Sequence, residues 1–286
     1  MEMKDDRLIG QPNKDDPREK AIREKLDLIN NTEWSKSFFE IVKNKQVEFF
    51  RNSINKTPST LSVRNLYLDL VEEISSKGKT EIKSGIDNLL EIHSGPLIVI
   101  TNHLGTAKIS RIKTNIININ NYPLEEIEPF PVRVAPISLI AQKLSLNLHE
   151  CAIELPQPFL NIQNQSGVIT IPARGEGKTK LLQSKINSLI STEPNSLIIM
   201  YPEGGTSGKR NDGNPYDLDI FHTGSFVIAK NLNLPILPIF QSFDSNHGSR
   251  LDILKQIMPN ELNSLNIKMV SEDTRSKMQS FSRKLT

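Results

Sequence analysis

The chain contains one cysteine, Cys151, among its 286 residues. A single cysteine cannot form an internal disulfide, and such a chain fits a reducing compartment. Cys151 lies among apolar residues, which is typical of a small buried core residue. We therefore expect no disulfide framework and a core stabilised by packing alone.

Long hydrophobic runs and an excess of one charge are also lacking. Aromatic residues make up 6% of the sequence, and no apolar stretch approaches the ~18 residues that a membrane-spanning helix needs. The first twenty residues are rich in charge and unlike a secretory signal. The 35 basic and 33 acidic residues give a net charge of +2, which does not favour nucleic acid as a partner. We expect a cytoplasmic protein whose membrane contact, if any, is peripheral.

Histidines are few and show no spacing typical of metal ligands. The five are His93, His103, His149, His222 and His247. With one cysteine, the chain also lacks the ligands of a structural zinc site. We expect no bound metal.

The apolar pattern divides the chain into three parts. Residues 1–16 predict a flexible leader, 17–92 a helical subdomain, and 93–286 an α/β domain. Pro17 suits the first position of a helix, and apolar residues follow it at spacings of four and three. Residues 80–92 predict a helix that connects the two larger parts.

A stripe of aromatic and aliphatic residues marks the second predicted helix. It runs from Trp34 through Phe38 to Phe49 and Phe50. The stripe predicts packing in the core. A lipid-facing amphipathic helix is the alternative, although the polar face mixes charges of both signs.

Beyond Pro96 short apolar strands alternate with helical patterns. Strands are predicted near 97–100, 132–135, 152–155, 168–171, 197–200 and 236–240, with helices at 138–146, 178–190 and 222–231. Residues 112–131 and 156–166 predict loops. The alternation indicates an α/β fold with a mostly parallel sheet flanked by helices. Sites in such sheets form beyond the carboxyl ends of the strands.

His103 follows the first of these strands, directly after Asn102. An imidazole exchanges protons near neutral pH, so a histidine at this point of a sheet can act as a general base. A single strand-end histidine is more often structural, and a second motif at the same edge is needed to favour catalysis.

That second motif is the turn Tyr201-Pro-Glu-Gly-Gly-Thr-Ser207, which follows the strand at 197–200. Gly204 and Gly205 allow close backbone approach, and successive N–H groups can form a concavity for a phosphate or an oxyanion. Thr206 and Ser207 add hydroxyl donors. An ordinary glycine turn is the alternative.

Together, Asn102-His103 and the 201–207 turn resemble the glycerolipid acyltransferase superfamily, which includes glycerol-3-phosphate and lysophosphatidate acyltransferases. That family has a His-(four residues)-Asp motif and a later Phe-Pro-Glu-Gly-Thr-Arg-Ser motif. Weaker matches at 221–225 and 234–239 extend the resemblance to roughly residues 95–242. It implies a glycerol-3-phosphate acyltransferase-like fold.

The resemblance also implies a reaction in which an acyl group moves from acyl-CoA or acyl carrier protein to a hydroxyl acceptor. Glycerol phosphate and lysophospholipid are the acceptors it suggests. The thioester is a co-substrate, and no bound cofactor is implied. His103 would be the base and Glu203 the second catalytic residue. Substrate contacts would come from Asn102, Arg174, Gly204, Gly205, Thr206 and Ser207.

The sequence departs from the family pattern at two positions. Lys108 occupies the place of the aspartate, and an ammonium group cannot accept the imidazole N–H. Either another carboxylate replaces it, with Glu176, Asp217 and Asp219 as candidates, or the chain is a catalytically inactive, lipid-binding relative. The family's Thr-Arg pair is Gly205-Thr206 here, and Lys209 and Arg210 follow closely.

A remote alternative is nucleotide binding through the segment from Pro172 to Thr179. It resembles a P-loop, Gly-x-x-x-x-Gly-Lys-Ser/Thr. Pro172 occupies the position of the first glycine and lacks the N–H that this position uses. No apolar strand ending in aspartate is evident to hold magnesium.

Overall fold

A computed structural model describes residues 17–55, 60–92, 95–105, 111–119, 126–127, 130–172, 176–208 and 214–282. Its strands are β1 (Glu81–Ser84), β2 (Leu97–Thr101), β3 (Ile112–Lys113), β4 (Glu126–Ile127), β5 (Asn147–Ile153), β6 (Ile169–Ile171), β7 (Ser196–Met200), β8 (Ile236–Asp244) and β9 (Gly248–Ile253).

The helices are α1 (Pro17–Ile29), α2 (Glu33–Asn55), α3 (Thr60–Lys77), α4 (Asp87–Leu90), α5 (Pro131–Leu144), α6 (Phe159–Gln165), α7 (Lys178–Thr192), α8 (Gly224–Leu232), α9 (Pro259–Ser264) and α10 (Ile267–Ser282). A short 3-10 helix spans Thr114–Ile117.

Seven strands form one sheet in the order β1-β9-β8-β2-β7-β5-β6, and β3 pairs with β4 apart from it. Every neighbouring pair of the large sheet is parallel except β8 and β9. In the centre, Val99 of β2 lies between Ile199 of β7 and Leu237 of β8. The structure thus confirms the predicted α/β fold with a mostly parallel sheet flanked by helices.

The central strands are apolar throughout because helices cover both faces of the sheet. Leu97 and Val99 belong to the cluster on one face, with residues of α1, α2, α3, α5 and α6. Ile98 and Ile100 belong to the cluster on the other face, with residues of α7, α8, α9 and α10. The alternation of side chains along a strand assigns neighbouring residues to opposite clusters.

The aromatic stripe of α2 lies in the core, as predicted. Phe38 stacks against both Trp34 and Phe243 of β8, with ring centroids 5.5 and 5.7 Å away. Phe50 meets Phe159 of α6 edge-on at 4.8 Å. The helices of residues 17–92 therefore share one hydrophobic cluster with the sheet, and their separation as a subdomain stays a prediction.

Four local predictions were wrong. The predicted loop 112–131 contains β3, β4 and the 3-10 helix. Residues 80–92 form β1 and the single-turn α4 rather than one helix, because β1 adds to the sheet by pairing with β9, which lies far away in sequence. The apolar run 132–135 is helical and belongs to α5, since a run of four cannot distinguish a strand from a buried helix. Residues 159–165 form α6, where Phe159 and Ile162 are buried.

Cys151 is buried in β5, and burial raises the pKa of its thiol. The predicted core position of this residue is confirmed. Among the described residues, no helix is long and apolar enough to cross a membrane. The predicted leader, residues 1–16, lies outside the described residues.

Candidate functional site

The two motifs meet at the carboxyl edge of the sheet, where β2 and β7 are neighbours. The His103 N–H donates to Oε1 of Glu203 at 3.1 Å. In return, the Ser207 N–H donates to the His103 carbonyl oxygen at 2.9 Å. Segments a hundred residues apart are thereby joined into one site, because both follow adjacent parallel strands.

Glu203 lies at the centre of this site with only 1% of its surface exposed. Its carboxylate accepts hydrogen bonds from three neutral donors: the His103 N–H, the Ser207 hydroxyl at 2.5 Å and the Asp219 N–H at 2.8 Å. Burial raises the pKa of Glu203 to about 7, and these three bonds offset part of that rise. Glu203 therefore holds three segments of backbone together.

Asn102 is fully buried and connects β2 to β8. Its side-chain amide donates to the Gln241 carbonyl oxygen at 3.0 Å and accepts the Gln241 N–H at 2.7 Å. The Gln241 side chain donates in turn to the Thr101 hydroxyl at 2.9 Å. These bonds continue the pairing of the two strands past β2 and fix the backbone immediately before His103.

The two glycines of the turn have different surroundings. Gly204 has φ +64°, and a Cβ added there would lie 3.1 Å from the His222 ring, so its lack of a side chain is required. A Cβ on Gly205 would meet none of the described residues within 4 Å. The described part of the chain therefore leaves the surface above Gly205 open to a ligand.

The side chains of Ser207 and Thr206 lie in different surroundings. Ser207 is fully buried, and its hydroxyl donates to Glu203. Thr206 is half-buried and lies against the loop after His103, where its methyl group would be 3.0 Å from a Cβ on Gly105. The predicted hydroxyl pair is therefore split: Ser207 supports Glu203, whereas Thr206 lies nearer the surface.

Tyr201 links His103 to charged residues that the sequence did not suggest. Its ring lies edge-on to the imidazole, with centroids 5.0 Å apart, and its hydroxyl donates to Glu150 at 3.0 Å. The same carboxylate oxygen accepts the Arg133 Nε–H at 2.9 Å. Burial and the Glu150 charge raise the pKa of the Tyr201 hydroxyl. A glutamate within the apolar strand β5 was the one local signal of this cluster.

The carboxylates proposed to replace the family's aspartate lie in different settings. Asp219 is buried, and its N–H is bonded to Glu203. Asp217 accepts a hydrogen bond from the Gln279 side chain at 3.1 Å, and Glu176 is exposed. A contact between one of them and the imidazole stays a prediction. Lys108, Arg174, Lys209 and Arg210 lie outside the described residues.

Other candidate sites offer less. A cleft of about 360 Å³ between α7 and α8 is lined by Lys180, Gln183, Ser184, Asn187 and Leu232, and none of these is a predicted site residue. His149 is buried between the Gly167 carbonyl and Glu193. The described residues contain no group of three side chains suited to hold a metal.

Comparisons of this chain with protein-family models and with curated proteins find no match. The resemblance to acyltransferases therefore rests on the short motifs at 102–103, 201–207, 221–225 and 234–239.

Proposed function

We propose that this protein is an acyltransferase that moves an acyl group from acyl-CoA or acyl carrier protein to a hydroxyl acceptor. The observation that carries the proposal is the pair of hydrogen bonds between His103 and the Glu203–Ser207 turn. A base and an open glycine backbone then share one edge of the sheet, and acyl transfer to an alcohol needs both.

The His103 imidazole takes the proton of the acceptor hydroxyl, and the oxygen attacks the carbonyl carbon of the thioester. The carbonyl oxygen becomes an oxyanion in the tetrahedral intermediate. The carbon–sulfur bond then breaks, and the leaving thiolate takes the proton from the imidazolium. The products are an ester and a free thiol, and the imidazole is neutral again.

The turn supplies the donors for the oxyanion or for an acceptor phosphate. The Gly204 N–H closes the turn on the Tyr201 carbonyl oxygen at 3.1 Å. The candidate donors are therefore the N–H groups of Gly205 and Thr206, next to the open surface at Gly205. Arg174 stays our candidate for a cation that binds a phosphorylated acceptor.

In this proposal Glu203 and Asn102 act through other residues. The Glu203 carboxylate is occupied by three donors of the protein itself, and the Asn102 amide is bonded to Gln241. Glu203 shapes the turn, and Asn102 fixes the backbone of the base. This differs from the catalytic role that the resemblance implies for Glu203 and from the substrate contact that it implies for Asn102.

The test is thiol release from acyl-CoA, measured with glycerol 3-phosphate, lysophosphatidate and alcohols without phosphate. The wild type is compared with His103→Ala and with His247→Ala, which removes an exposed histidine. We expect release that depends on the acceptor and falls at least about 100-fold in His103→Ala only. Equal release by wild type and His103→Ala with every acceptor, and with acyl carrier protein as donor, would reject the proposal.

A catalytically inactive, lipid-binding relative is the second candidate, and Lys108 at the family's aspartate position favours it. Lys108→Asp separates the two. If the missing acceptor alone silences the chain, the change should raise thiol release from near zero. If another carboxylate already orients His103, the wild type should be active and Lys108→Asp should leave the rate unchanged or lower it.

A further inference from the structure

Tyr201 lies between the candidate base and a buried ion pair. Its ring centroid is 5.0 Å from that of His103, and the Arg133 guanidinium carbon lies 5.6 Å from the same centroid. Glu150 binds both the Tyr201 hydroxyl and the Arg133 Nε–H through one oxygen. The three side chains come from α5, β5 and the residue after β7, so they meet only in the folded sheet.

This arrangement fixes the Tyr201 ring at two places. The bond from its hydroxyl to Glu150 holds the far end of the ring, and the guanidinium lies over the ring as in a cation–π contact. The ring in turn contacts the imidazole edge-on, an arrangement that aromatic pairs prefer. An immobile ring restricts the rotation of the imidazole beside it.

The same cluster balances charge near the base. The side chains of Glu150 and Arg133 are 2% and 15% exposed, so solvent screens them little. Their opposite charges lie 2.9 Å apart and largely cancel at a distance. From the other side, His103 faces Glu203 through its backbone N–H, with Asp219 next to Glu203. Removing one member of the pair would expose the imidazole to the remaining charge.

We infer that Arg133, Glu150 and Tyr201 are positioning residues that hold the His103 imidazole in one orientation and balance the charge around it. The inference rests on the proposed role of His103 as base. Its test is histidine-selective NMR on the full chain, which needs no substrate and so remains decisive if the acyl-transfer assay fails. The His103 resonance is assigned by its loss in His103→Ala.

Tyr201→Phe tests the positioning. It keeps the ring but removes the hydroxyl that Glu150 holds, so the ring should become mobile. We expect the ring-current shift of the His103 carbon-bound protons to shrink toward the values of the exposed His247, whose own resonances stay unchanged. A His103 resonance identical to that of the wild type would overturn the positioning role.

Glu150→Gln and Arg133→Met test the charge balance. In Glu150→Gln only the Arg133 cation remains, so His103 should take up its proton at lower pH than in the wild type. In Arg133→Met only the Glu150 carboxylate remains, so His103 should take up its proton at higher pH. Each shift should be on the order of half a pH unit. Arg133→Lys, which keeps the charge, should restore the wild-type midpoint, and so should the double variant Arg133→Met/Glu150→Gln.

Circular dichroism identifies the variants that fold. If one single-charge variant does not fold, the midpoint of the other still tests the charge balance, and Tyr201→Phe still tests the positioning. Midpoints that shift in the same direction in Glu150→Gln and Arg133→Met, or in neither, would overturn the charge-balancing role.

If thiol release is measurable, Tyr201→Phe should lower kcat several-fold and leave KM unchanged, whereas a lower folded fraction alone would leave the rate per folded molecule intact.

Discussion

Glu203 follows β7 and Glu150 lies within β5, and both are buried, yet their partners differ. Glu203 accepts three bonds from neutral donors, two of them backbone N–H groups. Glu150 accepts from a guanidinium and from a tyrosine hydroxyl. Glu203 is held mainly by backbone N–H groups, whereas Glu150 is held by two side chains from other parts of the fold.

Because their partners differ, the two carboxylates should respond differently to pH and to the loss of a partner. Neutral donors only partly offset burial, so the pKa of Glu203 rises to about 7 and protonation offers this residue a second stable form. When protonated, Glu203 can donate to the Ser207 hydroxyl while its lone pairs still accept the two N–H groups. A buried ion pair has no such alternative, because each partner is costly without the other.

The largest loss of stability should follow from breaking the ion pair between Arg133 and Glu150. Arg133→Met should lower the free energy of unfolding by about 3–5 kcal/mol, because Glu150 would keep its buried charge without a cation. The double variant Arg133→Met/Glu150→Gln should recover most of that loss. Urea denaturation measures both. The control is Arg51→Met, since Arg51 is exposed and bonded to the Ile116 carbonyl rather than a carboxylate. Equal losses at Arg133 and Arg51 would contradict the argument.

The second expected effect is a fall in the free energy of unfolding with rising pH, caused by Glu203. Its pKa is raised from 4.5 to about 7 in the folded state, so the native protein binds the proton more tightly than the unfolded chain. Its contribution to stability is therefore fully present below pH 4.5 and is lost as pH rises to 7 and beyond. Relative to Glu203→Gln, the wild type should lose about 3 kcal/mol across this window.

Unfolding free energies of both proteins at several pH values between 4.5 and 8 measure this loss. The comparison cancels His149, whose pKa burial lowers and whose contribution has the opposite sign. If the difference in unfolding free energy between the two proteins does not vary with pH, the pKa of Glu203 is not raised in the folded state.

A smaller effect is expected at Ser207, which supplies one of the three donors. Ser207→Ala should cost about 1–2 kcal/mol at pH 8, because the charged carboxylate loses a buried hydrogen bond. The cost should be smaller at pH 5, where Glu203 is protonated. Ser191→Ala removes an exposed hydroxyl bonded to the Asn187 carbonyl and should change stability by less than about 0.5 kcal/mol. A cost at Ser207 independent of pH would contradict the coupling to Glu203.

The smallest change in stability is expected at Gly205. Gly205→Ala adds a methyl group that contacts none of the described residues and should alter the free energy of unfolding by less than about 0.5 kcal/mol. Gly204→Ala, at positive φ and against His222, should cost about 1–2 kcal/mol. Thermal unfolding compares the two. If the acceptor binds over the turn, Gly205→Ala should still lower thiol release, and an unchanged rate would place the acceptor elsewhere.

Much of the fold could be predicted because its signals are local. The runs 97–100 and 197–200 are apolar at every residue and are bounded by turn-forming residues, which is typical of buried parallel strands. α7 and α8 follow from helical spacing, and their observed bounds differ from the predicted ones by two residues or fewer at each end. β1 was missed because its polar sequence Glu-Ile-Lys-Ser becomes a strand only through pairing with β9.

The candidate site could be predicted only in part for the same reason. His103 and Glu203 were found because each directly follows a recognisable strand, and adjacent strands bring such ends together. Arg133 was not found, because it lies in a run of α5 that was interpreted as a strand. Asn102 was interpreted as a substrate contact, since its partner Gln241 lies 139 residues away.

Local sequence patterns are enough to place the central strands and the residues that follow them, because hydrophobic periodicity and turn residues act over a few neighbours. The contacts that those residues make depend on the tertiary structure. The strand order sets Glu150 of β5 next to Tyr201 after β7, and Asn102 after β2 against Gln241 of β8. A strand specifies which side chains face its neighbours, but the identity of its neighbours depends on the packing of the whole sheet and its helices.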